Sequence, residues 1–332
     1  MRATIGDVAA QAGVSIATVS RVVNGRYGVA PGTLSRVQAV IDDLGYESSL
    51  VARSLRSRRT NVIGIIVADI EPFSAELLKG AARAIRGTGY ELIVYSGGGH
   101  LEDDTGWERR YLSRVSGTLT DGTILVTPTV VDASTSSPVV AVDPHAGSSE
   151  MPTVDSENLQ GAKTATEYLI ELGHRRIGFL AGRSDLESAR RRERGYREAL
   201  TEAGIPFDEN LVRIGGYTWE SARSAARELL EMTDRPTAIF AANDISAIQT
   251  MNVASETGLK VPEDLSVVGF DNIPESALTT PPLTTIDQSI QQMGFEAAKL
   301  LLGLIDEPDR DQIHLTLPTE LVVRQSCRAI SV

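Results

Sequence analysis

A single cysteine, Cys327, in 332 residues removes any internal disulfide framework, and the four histidines, His100, His145, His174 and His314, are too scattered to share a metal. Aromatic residues make up only 5% of the chain. No stretch reaches the roughly 18–20 uninterrupted apolar residues that span a bilayer, and the first twenty residues carry no apolar run of signal-peptide length. The sequence also lacks G-x-G-x-x-G and a Walker loop. Gly97-Gly98-Gly99 after a strand is the nearest approach, and a surface turn accounts for it. No nucleophile–base pair, metal cluster or cofactor fingerprint emerges. These absences point away from a membrane protein, a secreted receptor and a nucleotide-dependent enzyme, and toward a chain that stays in the cytoplasm with no catalytic residue, metal or cofactor.

Charge is missing in a more informative way. Residues 1–60 contain no lysine but eight arginines, against four acids (Asp7, Asp42, Asp43 and Glu47), for a net of +4. The remainder holds 24 bases and 40 acids, so the whole chain is at −12. A basic head on an acidic body confines phosphate neutralisation to one part of the molecule.

What the head does contain is a pair of short helices. Thr4 with Asp7 reads as an N-cap and capping-box partner, and Ser15 with Thr18 repeats a weaker form of the signal. Gly13 sits where the turn between them needs positive φ, while Val8, Val14, Val19 and Val22 form the buried side of the crossing. This is the pattern of a helix-turn-helix, whose second helix lies in a DNA major groove. A third helix opens at Pro31, carries Val37, Val40, Ile41 and Leu44 on one face, and stops at Gly45.

From Asn61 onward, apolar runs alternate with amphipathic helices. VIGIIVAD, ELIVYS, GTILVT, PVVAVD, RIGFLAG, LVRIGG, TAIFAAND and LSVVGFDN read as buried strands, with a helix from about 74 to 87 after the first. Such spacing predicts parallel sheets covered on both faces, and too many strands for one sheet, hence two lobes divided near residues 156–160. Short strands over 284–288 and 312–324 flank a helix over 291–305.

TIGDVAAQAGVS, TVSRVVNG and the later ARSL after a Gly-Tyr pair closely resemble the head and hinge of LacI/GalR-family transcription regulators, and the following chain to Arg328 resembles that family's sugar-binding body. The resemblance implies an α/β protein: an all-α helix-turn-helix head plus a two-lobed, periplasmic-binding-protein-like body with parallel sheets. The head would span 1–47, a hinge helix 48–60 and the effector-binding and dimerisation body 61–332. Lobe 1 would take roughly 61–157 and 289–318, lobe 2 roughly 158–288 and 319–332. The chain departs from the family at Ser48-Ser49, where Pro-Asn is usual, and at Ala30 and Gly32, which cap and start the third helix poorly.

By the same resemblance Ile16, Ala17 and Arg21 read bases, Arg21 by a bidentate bond to guanine. Thr18, Ser20 and Asn24 suit phosphates, and Thr4 and Ser15 are further DNA-binding candidates. Leu55 would wedge into the minor groove, with Arg53 and Arg56 on the backbone, although a basic linker with Leu55 in a core is the plainer reading of that segment alone. The body's candidates for an effector are Asp69, Phe73, Asp143, Arg192, Trp219, Asn243, Asp271 and Gln288, mostly at strand ends. Carboxylates, amides, one guanidinium and an aromatic face suit a sugar. Asp271 could instead cap a loop and Trp219 could be core, while Arg190, Arg191 and Arg194 read as a solvated helix face. The expected partners are a palindromic double-stranded DNA operator, a small sugar-type effector and a second copy in a homodimer, with no membrane. The function expected is a repressor of carbohydrate-utilisation genes. The alternatives are a regulator governed by a protein corepressor, as in catabolite control, a sugar receptor without DNA binding, and an α/β enzyme.

Overall fold

The computed structural model describes residues 3–23, 28–46, 59–97, 106–117, 119–129, 135, 137–145, 151–308 and 313–330. The chain forms two compact units, residues 1–60 and 61–332.

Among its described residues the first unit has three helices: α1 (Ile5–Ala12), α2 (Ile16–Val23) and α3 (Pro31–Leu44). Its local signals act as the residues dictate. Thr4 Oγ1 accepts from the Asp7 N–H at 3.3 Å while the Thr4 N–H donates to Asp7 Oδ2 at 2.8 Å, closing a capping box. Gly13 turns the chain at φ 64°, and Ser15 Oγ accepts from the Thr18 N–H at 3.1 Å to start α2. Pro31 opens α3 without a side-chain cap at Ala30, and Gly45 closes it at φ 56°. Val8, Ala9, Ala12, Val19, Val22 and Val37 are the buried core, with Val14, Val40, Ile41 and Leu44 packed around it. So small a core makes each cap a sizeable share of the head's stability.

Among its described residues the second unit holds two six-stranded sheets. One contains β1 (Val62–Val67), β2 (Glu91–Ser96), β3 (Gly122–Val126), β4 (Val139–Val142), β5 (Thr153–Ser156) and β11 (His314–Leu317), in the order β11-β5-β4-β3-β1-β2. The other contains β6 (Ile177–Ala181), β7 (Val212–Ile214), β8 (Ala238–Ala241), β9 (Ser266–Asp271), β10 (Thr284–Asp287) and β12 (Glu320–Val322), in the order β12-β10-β9-β8-β6-β7. All pairings are parallel except β10 with β12. β1, β3, β4, β6, β8 and β9 are buried along their whole length, as strands covered on both faces must be. The expected fold class, a helical head with two parallel-sheet α/β lobes, is the one observed.

The covering helices are α4 (Pro72–Ala84), α5 (Trp107–Val115), α6 (Asn158–Glu171), α7 (Glu187–Glu202), α8 (Trp219–Leu230), α9 (Asp244–Glu256) and α10 (Ile290–Asp306). The chain passes between sheets after β5, after β10 and after β11, so three strands of polypeptide join the lobes. The helix α10 follows a lobe-2 strand yet packs on α4 of lobe 1. Glycines permit the approach: a Cβ on Gly80 would overlap the Gln291 carbonyl, and one on Gly294 would overlap that of Leu77.

Three details differ from the sequence reading. The first body helix begins at Pro72, not 74, because Glu71 caps it, accepting from the N–H groups of Phe73 at 2.9 Å and Ser74 at 3.0 Å. The stretch over 312–324 is two strands in different sheets, parted at Pro318-Thr319. β5, with the sequence TVDS, is too polar to show as an apolar run, yet pairs with β4 on one side and β11 on the other.

Candidate functional site

In the head, the buried stripe of Val19 and Val22 turns the opposite side of α2 outward. Ser15, Ile16, Ala17 and Arg21 are exposed together there, and Thr18 and Ser20 are half-buried beside them. Ile16 is 52% exposed, an apolar side chain with no packing partner in the head's core. Thr4, also exposed, donates its hydroxyl to Asp7 Oδ2 at 2.7 Å, and the hydroxyls of Ser15 and Thr18 lie 2.9 Å apart. Asn24, Arg53, Leu55 and Arg56, with the rest of the expected hinge helix up to residue 58, lie outside the described residues.

In the body, the carboxyl ends of the two sheets supply a buried polar cluster built around Arg192 on α7. Its Nε donates to Asn158 Oδ1 at 2.8 Å, Nη1 to the Ala242 carbonyl at 2.5 Å and to Asp271 Oδ1 at 3.4 Å, and Nη2 to Gln288 Oε1 at 3.3 Å. The guanidinium also stacks on Phe270, 3.8 Å from the ring centre. Gln288 is fixed in turn, donating to Asp271 Oδ1 at 2.5 Å and accepting from Ser156 Oγ at 2.8 Å. Four of the five guanidinium N–H groups are therefore occupied, and the ends of β5, β8, β9 and β10 are held in one network.

Lobe 1 meets this network through Asp143, after β4, whose carboxyl lies among Arg192, Ser188 and Arg191. Burial pushes Asp143 above the ordinary carboxylate range, opposed by the Arg192 charge. Burial likewise pushes Asp271 well up, with Arg192 opposing and the carboxylates of Asp244 and Glu71 adding to the rise. Asp244, behind Asp271, accepts from Thr285 Oγ1 at 2.5 Å and from the Ile273 N–H at 2.9 Å, and burial raises it to about 7. Backbone strain gathers here too: Asp143, Tyr217, Asp271, Asn272 and Ser289 all have left-handed φ, at 48°, 67°, 117°, 55° and 56°. Such conformations cost on the order of 1–3 kcal/mol each for non-glycine residues and persist where surrounding contacts over-determine them.

Of the body's candidates, the structure brings Arg192, Asp271, Gln288 and Asp143 together. Asn243 is buried next to the Ala242 carbonyl, but its Oδ1 caps α9, accepting from the Ser246 N–H at 2.9 Å. Asp69 is exposed and accepts from the Ile70 N–H at 2.8 Å. Phe73 lies half-buried against the lobe-1 core, and Trp219, 42% exposed, is the first residue of α8. Arg190 and Arg194 are exposed, as a solvated face requires, although Arg190 also donates to the His145 carbonyl at 3.0 Å; Arg191 departs from that reading, half-buried and paired with Asp155 of lobe 1 at 3.2 Å. Glu71, Asn158 and Tyr217 were missed. The Glu-Pro start of α4 was a readable cap signal for Glu71, whereas nothing local marked Asn158 or Tyr217.

Residues 4–49 match the family described as bacterial regulatory proteins of the lacI family, and residues 166–327 match the periplasmic binding protein-like domain. The HTH-type transcriptional repressor PurR of Photobacterium profundum is 35% identical over 337 residues, covering 99% of this chain and 100% of that one. The chain belongs to the LacI family. Among solved structures, the complex of the transcriptional regulator CelR with cellobiose is 35% identical, with a TM-score of 0.72 over 98% of this chain and 100% of that one. The lac repressor dimer bound to operator and the anti-inducer ONPF is 28% identical, with a TM-score of 0.85 over 99% and 100%. As a LacI-family member this is a DNA-binding transcription regulator of the helix-turn-helix type with an effector-binding body, and the family is not one of enzymes. Among the described residues no helix of this regulator is long and apolar enough to cross a membrane.

Proposed function

We propose that this LacI-family regulator is a dimeric repressor of carbohydrate-utilisation genes, acting in the cytoplasm, whose grip on a palindromic operator is set by a small sugar-type effector between its lobes. The observation that carries the reading is the network of Arg192, Asp271 and Gln288, locked between strand ends and faced by Asp143 from the other lobe. Ligands of open α/β sheets bind at such carboxyl ends. Convergent carboxylates and an amide hydrogen-bond vicinal hydroxyls, Asn243 and Asp69 add further polar atoms, and Phe73 and Trp219 offer faces for the C–H side of a ring. The likeness to a CelR–cellobiose complex supports the same class of effector.

Residues 1–47 read the operator in this account, 48–60 form the hinge, and 61–332 bind effector and partner copy. Ile16, Ala17 and Arg21 meet base edges; Thr4, Ser15, Thr18, Ser20 and Asn24 meet phosphates; Leu55 wedges into the minor groove between Arg53 and Arg56. An effector that binds one lobe arrangement better than the other shifts the population toward it, and the three crossings between lobes restrict that motion to a hinge.

The test is operator affinity at fixed salt, with and without each member of a panel of mono- and disaccharides, alongside thermal shift of the protein alone. A sugar that both raises the melting temperature and changes operator affinity bears the proposal out. If no sugar moves either quantity, the effector assignment is wrong.

A further inference from the structure

The third helix of the head brings to its DNA-binding side a residue that the resemblance does not assign. Val22 of α2 and Val37 of α3 meet in one core, which holds the two helices side by side. Between them runs an open groove of about 450 Å³, walled by Ser15, Thr18 and Arg21 on one side and by Thr33 and Arg36 of α3 on the other. Thr33 and Arg36 are three positions apart, so they share one face of α3. Two arginines from different helices therefore open onto the same groove, and both are exposed.

No described residue of the head neutralises this pair. Neither Arg21 nor Arg36 has a hydrogen bond or an ion pair among the described residues. The described carboxylates are engaged elsewhere: Asp7 with Thr4 in the capping box, Asp42 with Gln38 at 3.1 Å and Asp43 with Gln11 at 3.0 Å. Like charges held along one groove attract an anion that runs through it. A recognition helix in the major groove lies between two phosphate strands, whose contacts fix its register while base edges specify the sequence. Arg21, on the recognition helix, is placed for a base edge. Arg36 stands on the helix packed beside it, where a planar guanidinium fork suits the phosphate strand bordering the groove.

We propose that Arg36 binds a backbone phosphate of the operator next to the base pair read by Arg21, adding affinity without adding specificity. The inference rests on the operator reading given above. It is tested on the full chain by fluorescence anisotropy with a palindromic duplex that the wild-type protein selects from a random library, and with single-base variants of that duplex. Each is titrated from about 50 to about 200 mM salt. One phosphate contact contributes about 0.9 to the slope of log affinity against log salt, so Arg36→Gln should reduce the fall in affinity over that range by about threefold per bound head. It should weaken the palindrome and every variant by the same factor, whereas Arg21→Ala should abolish discrimination at one position. Arg36→Lys should keep the slope. Exchanging the two side chains, Arg36→Gln with Gln38→Arg, preserves the head's net charge but moves the cation to a position that does not line the groove, and the slope should stay low. Arg36→Ala, the substitution a helix tolerates best, should match Arg36→Gln, with thermal melting to show that each variant is folded. An unchanged slope in Arg36→Gln, a slope restored by the exchange, or a loss that varies with the base changed each overturns the proposal while leaving the operator reading intact. If the wild type selects no palindrome, the operator reading and this contact fall together.

Discussion

Arg192 lies flat on Phe270, its guanidinium carbon 3.8 Å from the ring centre, while its nitrogens reach Asn158, Ala242, Asp271 and Gln288. A planar fork can stack and bond in four directions at once, whereas an ammonium cannot. Arg192→Lys should therefore behave as a loss. The Lys ammonium keeps a charge near Asp271 but cannot replace all of the bonds to Asn158, Ala242 and Gln288, and each buried polar group left unsatisfied costs about 1–3 kcal/mol. The expected outcome is a lowered denaturation midpoint by chemical unfolding and no response of operator affinity to a sugar that acts on the wild type. A variant with wild-type stability and full response would show that the network is incidental.

The contact of α4 with α10 depends on two absent side chains. Gly80→Ala places a methyl group into the Gln291 carbonyl, and neither backbone can move without shifting a packed helix. Overpacking of this kind costs about 1–3 kcal/mol. Urea unfolding should register that loss, and Gly294→Ala, against the Leu77 carbonyl, should behave alike. Gly258→Ala is the contrasting case, because no atom lies within 4 Å of its added methyl and only its φ of 79° resists the change.

Asp244 makes stability fall as pH rises. Burial raises its carboxyl from 3.8 to about 7 in the folded chain, so the folded state binds a proton more tightly than the unfolded one. Its contribution is fully present below the unfolded value and is lost as pH climbs through about 7. Asp244→Asn, which retains an acceptor for the Ile273 N–H, should gain stability relative to wild type between pH 5 and 8. Melting temperatures across that range measure the difference. A constant offset between the two proteins would mean that Asp244 does not titrate there. His174 acts with the opposite sign, since burial holds its imidazole below the ordinary value and acid therefore penalises the fold, so the comparison must be made between variants.

How much of this was legible in the sequence follows from how local each cause is. Thr4, Gly13, Pro31 and Gly45 act within one turn of helix, and each performs its expected part. The apolar strands were visible because strands buried on both faces admit no polar alternation. β5 was not, because TVDS takes its place through backbone pairing with neighbours on either side. Arg192, Asp143, Asp271 and Gln288 could be named from strand ends and resemblance, but their mutual bonds span up to 96 positions of chain and exist only after the sheets form. Arg191 shows the limit most clearly. Its ion pair with Asp155 depends on what the opposite lobe places against it, which no window of sequence contains.

The central claim is that the head grips a two-fold symmetric duplex and the body adjusts the grip, and titration of a palindromic operator by fluorescence anisotropy tests it most directly. The exposed Arg21 should prefer one guanine in each half-site, so a change of that guanine to adenine should cost about 1–3 kcal/mol in wild type and far less in Arg21→Ala. Preference for the symmetric site over scrambled competitor, with discrimination at one position removed by Arg21→Ala, is the predicted result. Equal affinity for both duplexes at every salt concentration, with and without sugars, would contradict it.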